Sequence, residues 1–381
     1  MDSAQILERL VGFATVSRDS NLSLIEYVRE FLADCGASSK IYLDTQGRKA
    51  NLFASIGPVE QPGILLSGHT DVVPVDGQSW SSDPFQLRQR GERLYARGAA
   101  DMKGFLACAL RAARLAAAKP LRMPLQLAFS YDEEIGCVGV RSLIEDMANW
   151  SPLPRFCIVG EPTLLRPAVA HKGKSALKAV CHGRAAHAAY PHLGINAIHM
   201  ASELVERIRQ RQARIAASGA HDADYETPYT TLHVGVIAGG TVLNIVPERC
   251  ELEIEIRNLP GDDSAVLIDG MRADAALIAK GMSGDADIRI ELELSNEYPS
   301  LDTPPDADVV QLAAALTGNQ ERIKVGFGTE GGLFSGRLGI PSVVCGPGSI
   351  DQAHKPDEFV ATDQLLRCDA MLDALLERLA S

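Results

Sequence analysis

The sequence predicts an α/β fold, a mixed sheet flanked by helices, with a smaller α+β domain inserted into it. Apolar runs of strand length alternate with helical patterns in residues 1–172 and again in residues 286–381. Between these segments the strands alternate apolar and polar residues, which is typical of a sheet with one solvated face. The length of 381 residues also exceeds what one core usually holds, since domains contain ~100–200 residues each. We therefore expect a discontinuous main domain and an inserted domain of residues 173–285.

The composition is that of an ordinary globular protein, with 46% hydrophobic and 23% charged residues. A net charge of -12 argues against a nucleic-acid or anionic-membrane partner, because a phosphate backbone requires a basic face. The first residues lack the pattern of a signal peptide, and no apolar run approaches the ~20 residues of a membrane span. The eight cysteines form no Cys-x-x-Cys pair and have mostly apolar neighbours. We expect a cytoplasmic protein with reduced core thiols.

The elements of the main domain follow from the spacing of apolar residues. Helical spacing predicts two N-terminal amphipathic helices on either side of residues 17–20. Strands are predicted at Ser39–Leu43, Asn51–Ile56, Gly63–Ser67 and Leu125–Phe129, with a hairpin near Gln86–Tyr95 and helices at Gly104–Ala118 and Val138–Met147. The strand and helix alternation resumes in the runs Val309–Leu316, Ile323–Phe327, Pro341–Cys345 and Leu365–Leu379.

The inserted domain is predicted to be a half-solvated sheet with helices on one side. Its strand Leu252–Ile256 places Leu252, Ile254 and Ile256 on one face and glutamates on the other. The remaining predicted elements are helices at Gly194–Ile215 and Asp263–Lys280 and strands at Leu177–Cys181, Thr231–Ile237 and Ile288–Leu294.

His69 and Asp71 follow a buried strand and are two residues apart, so both side chains leave the strand on the same face. A histidine that binds a metal usually donates its other ring N–H to a carboxylate, and this pair supplies both partners. Other acids and one late histidine close strand-like runs or precede helices: Asp101, Glu133, Glu134, Glu161 and His354. Because active sites of open α/β sheets collect at the carboxyl edge of the strands, we expect these side chains to meet there.

Structural explanations remain open for several of these residues. Asp101 precedes a predicted helix and could cap it, since the positive helix end favours a carboxylate. Glu133 and Glu134 could be favourable acids in the first turn of the following helix. As neighbours they point in different directions, which suits one metal ligand and one residue that faces the substrate.

The motifs together resemble a known family. They are His69-Thr70-Asp71, Asp101-Met102-Lys103-Gly104, Asp132-Glu133-Glu134, Gly160-Glu161-Pro162 and the late His354. In this order they resemble the signature of the M20 metallopeptidase and deacylase family. The tract Gly346–Glu358, preceded by Thr329-Glu330, is most similar to the branch that deacetylates N2-acetyl-L-ornithine. The resemblance covers most of the chain, from about Ile64 to Glu358.

The resemblance implies a zinc-peptidase-like catalytic domain that binds two divalent metal ions, Zn²⁺ or Co²⁺. His69 and Glu161 are implied to bind one ion, Glu134 and His354 the other, and Asp101 both. Asp71 would then orient His69, and the peptide bond after Asp101 could be cis. Glu133 would be the general base that takes a proton from the attacking water and returns it to the leaving amine.

The resemblance also assigns roles to residues outside the ligand set. His187, on the inserted lid or dimerisation domain, is implied to donate to the oxyanion, in a homodimer formed through that domain. Asn244 and Arg257 are implied to meet the carboxylate or carbonyl of an acylated amino acid. We place Glu330 against the distal ammonium of ornithine. The alternatives are an exposed turn histidine, a surface cation for Arg257 and helix initiation for Glu330.

The expected function is metal-dependent deacetylation of N2-acetyl-L-ornithine to L-ornithine and acetate, in arginine biosynthesis. Succinyl-diaminopimelate desuccinylase, a dipeptidase-like relative and acetylcitrulline as substrate are alternatives within the class. The desuccinylase branch shows a paired-arginine segment where this chain has His171-Lys172-Gly173-Lys174. A different class is a non-catalytic homologue that binds amino-acid derivatives; the presence of Glu133, His187 and all five ligand positions argues against it.

Overall fold

The computed structural model describes residues 1–381, and contacts group them into two compact units. The first unit contains Met1–Ala170, Leu301–Lys324 and Thr329–Ser381, and the second contains His171–Ser300 and Val325–Gly328. The second unit extends past the expected boundary at residue 285, because the strand at residues 289–298 pairs along its length with the strand at residues 173–182. The assignment of catalytic and lid or dimerisation domains to these segments stays a prediction.

The first unit is built on a mixed sheet of nine strands. These strands are β1 (Ser38–Leu43), β2 (Ala50–Ile56), β3 (Ile64–His69), β6 (Leu125–Ser130), β7 (Phe156–Pro162), β8 (Ala168–His171), β13 (Leu301–Asp302), β14 (Ile323–Val325) and β15 (Ser342–Gly346). The spatial order is β1-β2-β6-β3-β7-β15-β8-β13, with β14 paired to β8. The central strands β6, β3, β7 and β15 are parallel, and β3, β6 and β15 are buried throughout. Burial on both faces explains why these strands read as continuous apolar runs.

Seven helices accompany this sheet, and their apolar stripes supply much of the core. They are α1 (Ser3–Val11), α2 (Leu22–Asp34), α3 (Lys103–Ala116), α4 (Val140–Met147), α7 (Asp308–Thr317), α8 (Gly331–Leu338) and α9 (Thr362–Ala380). α1 shows the local logic: the Asp2 carboxylate accepts the N–H of Gln5 at 2.9 Å and caps the helix. Ile6, Leu7 and Leu10 then recur at helical spacing and are fully buried.

The second unit is a four-stranded antiparallel sheet with two helices. Its elements are β9 (Gly173–His182), α5 (Ala197–Ser218), β10 (Thr231–Gly239), β11 (Arg249–Asn258), α6 (Ser264–Met282) and β12 (Arg289–Tyr298). The strand order is β10-β11-β9-β12. Leu252, Ile254 and Ile256 of β11 are buried in one core with Leu204 of α5 and Met271 of α6. The predicted half-solvated sheet with helices on one side is confirmed.

Short strands are the elements that sequence periodicity missed. β16 (Phe359–Ala361) pairs with β5 (Arg93–Tyr95), which pairs with β4 (Arg88–Arg90), so the predicted hairpin becomes a small three-stranded sheet. Strands of two to four residues such as β8, β13 and β16 contain too little alternation to be recognised. All eight cysteines are free, and seven of them are buried, as expected for core thiols. No helix combines the length and apolar character that a membrane span needs.

Candidate metal centre

Three neighbouring parallel strands bring the first candidate residues to one edge of the sheet. β3 ends at His69, which is in register with Ser130 at the end of β6, so the turn with Glu133 and Glu134 follows beside it. β7 lies on the other side of β3 and contains Glu161 near its end. The carboxyl ends of parallel strands meet at the same edge, as the sequence predicted.

Asp101 lies between two imidazole rings. Its Oδ1 is 3.0 Å from His69 Nε2, and its Oδ2 is 3.3 Å from His354 Nε2. Asp101 does not cap α3, because Met102 is the N-cap residue and no side-chain cap hydrogen bond is made. The peptide bond between Asp101 and Met102 is cis. Each carboxylate oxygen of Asp101 thus faces a different histidine.

A glutamate lies beside each of the two histidines that face Asp101. Glu161 Oε1 is 3.6 Å from His69 Nε2, and Glu134 Oε2 is 3.0 Å from His354 Nε2. Two groups of side chains bring ligand atoms within 4.8 Å of one another, His69 with Asp101 and Glu134, and His69 with Glu133 and Glu161. The second group contains Glu133 in addition to the expected ligands. Helix α4 begins only at Val140 and has no acid in its first turn, so neither Glu133 nor Glu134 serves as a first-turn acid.

The pKa shifts of these carboxyl and imidazole groups indicate whether the site can accept cations. Burial, reinforced by neighbouring carboxylates, raises the pKa of Glu133 to about 8 and that of Glu134 to about 7, and it raises the pKa of Glu161 well above its ordinary value. Burial acts in the same direction on Asp101, but hydrogen bonds from His354 and His69 bring its pKa below the ordinary value. Hydrogen bonds to Asp101 and Glu134 raise the pKa of His354 to about 10.

Carboxyl groups gathered in this way are stable only if protons or cations offset their charge. The donor atoms are carboxylate oxygens and imidazole nitrogens, the set that Zn²⁺ and Co²⁺ accept. The residues present therefore fit a pair of divalent ions.

Asp71 joins two strand ends. His69 Nδ1 lies 2.8 Å from the Asp71 carbonyl oxygen and 3.6 Å from its carboxylate, so the shorter contact to the imidazole is a backbone one. The carboxylate instead accepts the backbone N–H groups of Glu133 at 3.1 Å and Glu134 at 3.3 Å, and the Ser17 hydroxyl at 2.7 Å. The sequence predicted the link to His69 but missed this support of the acid pair.

Further residues around the acid pair carried no sequence signal. Lys49 Nζ lies 2.6 and 2.8 Å from the two carboxylate oxygens of Asp132, which has a left-handed φ of 55° at the start of the turn. The Cys137 thiol donates to Glu133 Oε1 at 3.2 Å. Lys49 was missed because nothing in a local pattern relates it to a residue so distant in the chain.

Glu330 is buried beneath β3, with 1% of its surface exposed. Its Oε2 accepts the Ser67 hydroxyl at 2.9 Å, and burial raises its pKa. Glu330 precedes α8 but makes no side-chain cap hydrogen bond; the Thr329 hydroxyl accepts the N–H of Gly331 instead. The alternative that Glu330 initiates α8 therefore lacks its expected side-chain hydrogen bond to the first turn of the helix.

The remaining predicted site residues belong to the second unit. His187 is exposed in a loop, and its Nδ1 accepts the N–H of Ala189 at 3.0 Å, which assigns the proton of a neutral ring to Nε2. Asn244 lies next to this loop, with its carbonyl accepting the N–H of Ala188 at 3.0 Å. Arg257 on β11 is more than a plain surface cation, because it pairs with Glu255 at 2.8 Å and with the Tyr298 hydroxyl at 2.9 Å.

Comparisons with known proteins show which proteins this chain resembles. The chain is 36% identical over 374 residues to an acetylornithine deacetylase of Myxococcus xanthus, covering 96% of this chain and 94% of the relative. Among solved structures, a metallo-carboxypeptidase of Sulfolobus solfataricus superposes with a TM-score of 0.79 at 21% identity over the full length of both chains. A Bacillus subtilis protein, YXEP, described as a dinuclear metal binding peptidase of the M20 family, superposes with a TM-score of 0.68 at 15% identity, covering 99% of this chain and 98% of that one.

The sequence profile of one peptidase family matches residues 65–378, which include every candidate ligand identified above. The expected fold, a mixed sheet flanked by helices, is that of the solved relatives. On this match and on the identity to curated relatives over most of its length, the chain belongs to peptidase family M20/M25/M40.

Proposed function

We propose that the protein is a metal-dependent amide hydrolase that converts N2-acetyl-L-ornithine to L-ornithine and acetate. The observation that carries the hydrolase proposal is the position of Asp101 between His69 and His354, each of which also faces a glutamate. Relatives named acetylornithine deacetylase, 36% identical to this chain, support the choice of substrate. We further propose that it acts in the cytoplasm, in arginine biosynthesis.

In this proposal His69 and Glu161 bind one divalent ion, Glu134 and His354 bind the other, and Asp101 binds both. Zn²⁺ and Co²⁺ suit this set of imidazole and carboxylate donors. The description of the Bacillus subtilis relative as dinuclear supports two ions rather than one. Such ions, when bound, lower the pKa of water toward ~7 and polarise the carbonyl group of a substrate.

Glu133 is proposed as the general base. It accepts a proton from the attacking water as the water oxygen bonds to the amide carbon, and it returns that proton to the nitrogen as the carbon–nitrogen bond breaks. The products are then acetic acid and the amine, which become acetate and an ammonium ion when the second proton of the water passes from the acid to the amine. The contacts to Glu133 suit this role, because the Cys137 thiol orients one carboxylate oxygen and Asp71 holds the backbone N–H.

The second unit is proposed to act as a lid and dimerisation domain that contributes substrate contacts. His187 is proposed to donate to the oxyanion, which its assigned Nε2–H allows. Asn244 and Arg257 are proposed to meet the backbone carboxylate of the substrate. Glu330 of the first unit is proposed to pair with the distal ammonium of ornithine, because a cationic amine in a pocket needs a fixed opposite charge.

A hydrolysis panel combined with metal analysis tests the proposal. The purified protein would be assayed on acetylornithine, acetylcitrulline and succinyl-diaminopimelate as prepared, after exhaustive chelation, and after addition of Zn²⁺ or Co²⁺. We expect acetylornithine to have the highest kcat/KM, chelation to abolish activity, and either ion to restore it. Full activity in protein shown to be metal-free would overturn the proposed mechanism. A higher kcat/KM for acetylcitrulline or succinyl-diaminopimelate would overturn the assignment of acetylornithine as the substrate.

A further inference from the structure

Glu358 and Arg97 form a fully buried ion pair behind the candidate metal centre. Each side chain is 1% exposed, and Glu358 Oε2 lies 2.7 Å from Arg97 Nη1. The Arg97 guanidinium also lies over the ring of Trp80, 5.0 Å from its centroid. A buried pair of this kind is not by itself a source of stability, since desolvation of the two charges opposes their attraction. Its other contacts show what else it does.

The Glu358 carboxylate binds the loop that presents Asp101. Its Oε2 accepts the backbone N–H of Gly98 at 3.1 Å, and its Oε1 accepts those of Ala100 at 2.9 Å and Asp101 at 3.0 Å. Together with the Arg97 bond, four donors converge on two oxygens. Hydrogen bonds to an ionised acceptor are shorter and stronger than neutral ones, so this carboxylate fixes the loop closely.

The same network reaches the loop that presents His354. Arg97 donates to the Lys355 carbonyl at 3.3 Å and to Gln78 Oε1 at 2.6 Å, and Gln78 Nε2 donates to the His354 carbonyl at 2.9 Å. His354 has a left-handed φ of 62°, which a non-glycine residue keeps only where its surroundings hold it. Asp101 and His354 are thus tied through one set of contacts, which is buried around Glu358 and becomes exposed at Gln78.

We propose that Glu358 is a positioning residue of the metal centre, which sets the distance between Asp101 and His354 by anchoring both loops. This inference rests on the proposed two-ion function. Replacement of Glu358 should weaken the binding of the ion at Glu134 and His354 more than the binding of the ion at His69 and Glu161. The reason is that His69 and Glu161 stand on sheet strands that Glu358 does not contact. Residues that orient metal ligands typically change affinity by about 10- to 100-fold when replaced.

The variant Glu358→Gln separates positioning from packing. The amide has nearly the shape of the carboxylate, but its NH₂ group must face either Ala100 and Asp101 or Arg97 and Gly98, all of which are donors. Zn²⁺ binding to metal-free protein would be measured by calorimetry. We expect wild type to bind two ions and Glu358→Gln to bind one of them about 10- to 100-fold more weakly.

Asp369→Asn is the matched control. Asp369 is also a buried carboxylate of the first unit, accepting the Ser3 hydroxyl at 2.5 Å and lying 3.5 Å from Arg111 Nε, but its partners are not metal ligand candidates. Asp369→Asn is expected to lower the unfolding temperature and leave both Zn²⁺ affinities unchanged. A Glu358→Gln variant that is less stable but binds both ions as wild type does would overturn the inference.

A second variant decides the question if Glu358→Gln does not fold. Gln78→Ala removes the contact to the His354 carbonyl without leaving a buried carboxylate or guanidinium unpaired, because the Arg97–Glu358 bond stays. We expect this variant to bind one of the two Zn²⁺ ions with about 10-fold lower affinity. Unchanged affinity in Gln78→Ala would overturn the inference. If wild type itself bound no more than one ion, the two-ion function would fail instead, and the two results are distinct.

Discussion

The carboxylate of Asp71 holds the turn that presents Glu133, because its Oδ1 accepts the Glu133 backbone N–H at 3.1 Å. The other oxygen accepts the N–H of Glu134 at 3.3 Å and the Ser17 hydroxyl at 2.7 Å. The carbonyl oxygen of Asp71 is the partner of His69 Nδ1. One residue just after β3 therefore orients a candidate ligand at the end of that strand, His69, and the acid pair that follows the neighbouring strand β6.

Replacement of Asp71 should consequently affect the acid pair as well as His69. In Asp71→Asn one acceptor oxygen becomes a donor that faces the backbone N–H of Glu133 or Glu134, so we expect about a 10- to 100-fold loss of kcat or of metal affinity. Ser17→Ala is the control, since it removes only the hydroxyl donor and leaves both N–H bonds. Steady-state kinetics with metal analysis measures this, and wild-type values for Asp71→Asn would refute the role of the carboxylate.

Glu133 and Glu134 should differ in what their amide variants lose. Glu133→Gln removes the proposed base, so kcat should fall by about 10²-fold or more while the metal content stays at the wild-type level. Glu134→Gln removes a proposed ligand 3.0 Å from His354 Nε2 and should lower the metal content first. Equal metal loss in both variants would show that Glu133 is also a ligand, as its place in a cluster with His69 and Glu161 permits.

Glu330 should determine preference for a cationic side chain. A buried charge without its partner costs ~3–5 kcal/mol, so Glu330→Gln should lower kcat/KM for acetylornithine much more than for acetylcitrulline, whose side chain is neutral. Ser67→Ala is the matched control, because it removes the 2.9 Å hydrogen bond to Glu330 but no charge. The ratio of the two specificity constants is the measurement. An unchanged ratio in Glu330→Gln would mean that Glu330 is a structural acid only.

His171 should make the stability of the protein depend on pH. Burial lowers its pKa to about 4, while a hydrogen bond to the Lys172 carbonyl opposes that shift only in part. The unfolded chain has the ordinary value of ~6.5, so between these pH values the unfolded state binds more protons. The contribution of neutral, buried His171 to the free energy of unfolding is therefore complete above about pH 6.5. It is lost as the pH falls toward 4, by at most ~3 kcal/mol.

Urea unfolding at pH 7.5 and pH 5 would detect this effect. His171→Asn keeps a donor near the position of Nδ1 but cannot be protonated in this range, so its loss of stability on acidification should be smaller than that of wild type. The exposed His233 in the same unit supplies the control variant, His233→Asn, which should follow wild type. Identical pH slopes for wild type and His171→Asn would contradict the prediction.

The positions of His69, Asp101 and Glu161 could be predicted because each stands at the end of a strand or just before a helix that local periodicity reveals. His69 and Glu161 lie at the ends of apolar strands, and Asp101 lies just before an alanine- and leucine-rich helix. Burial of one face or of a whole strand leaves a pattern in neighbouring residues, and the edge at which parallel strands end is a property of the fold class. The end of the inserted segment was less predictable. The alternation of residues within β12 does not indicate which strand it pairs with, and in the structure that strand is β9.

The sequence by itself determined the fold class, the order of most helices and strands, and the set of imidazoles and carboxylates that converge on one sheet edge. Only the tertiary structure decided which groups support them: Lys49 on Asp132, the Asp71 carboxylate on the acid pair, and Glu358 on the loop of Asp101. These contacts join residues that are distant in the chain, and their hydrogen bonds depend on how the elements pack. Side-chain periodicity records which face is buried, and it contains no information about the partner found there.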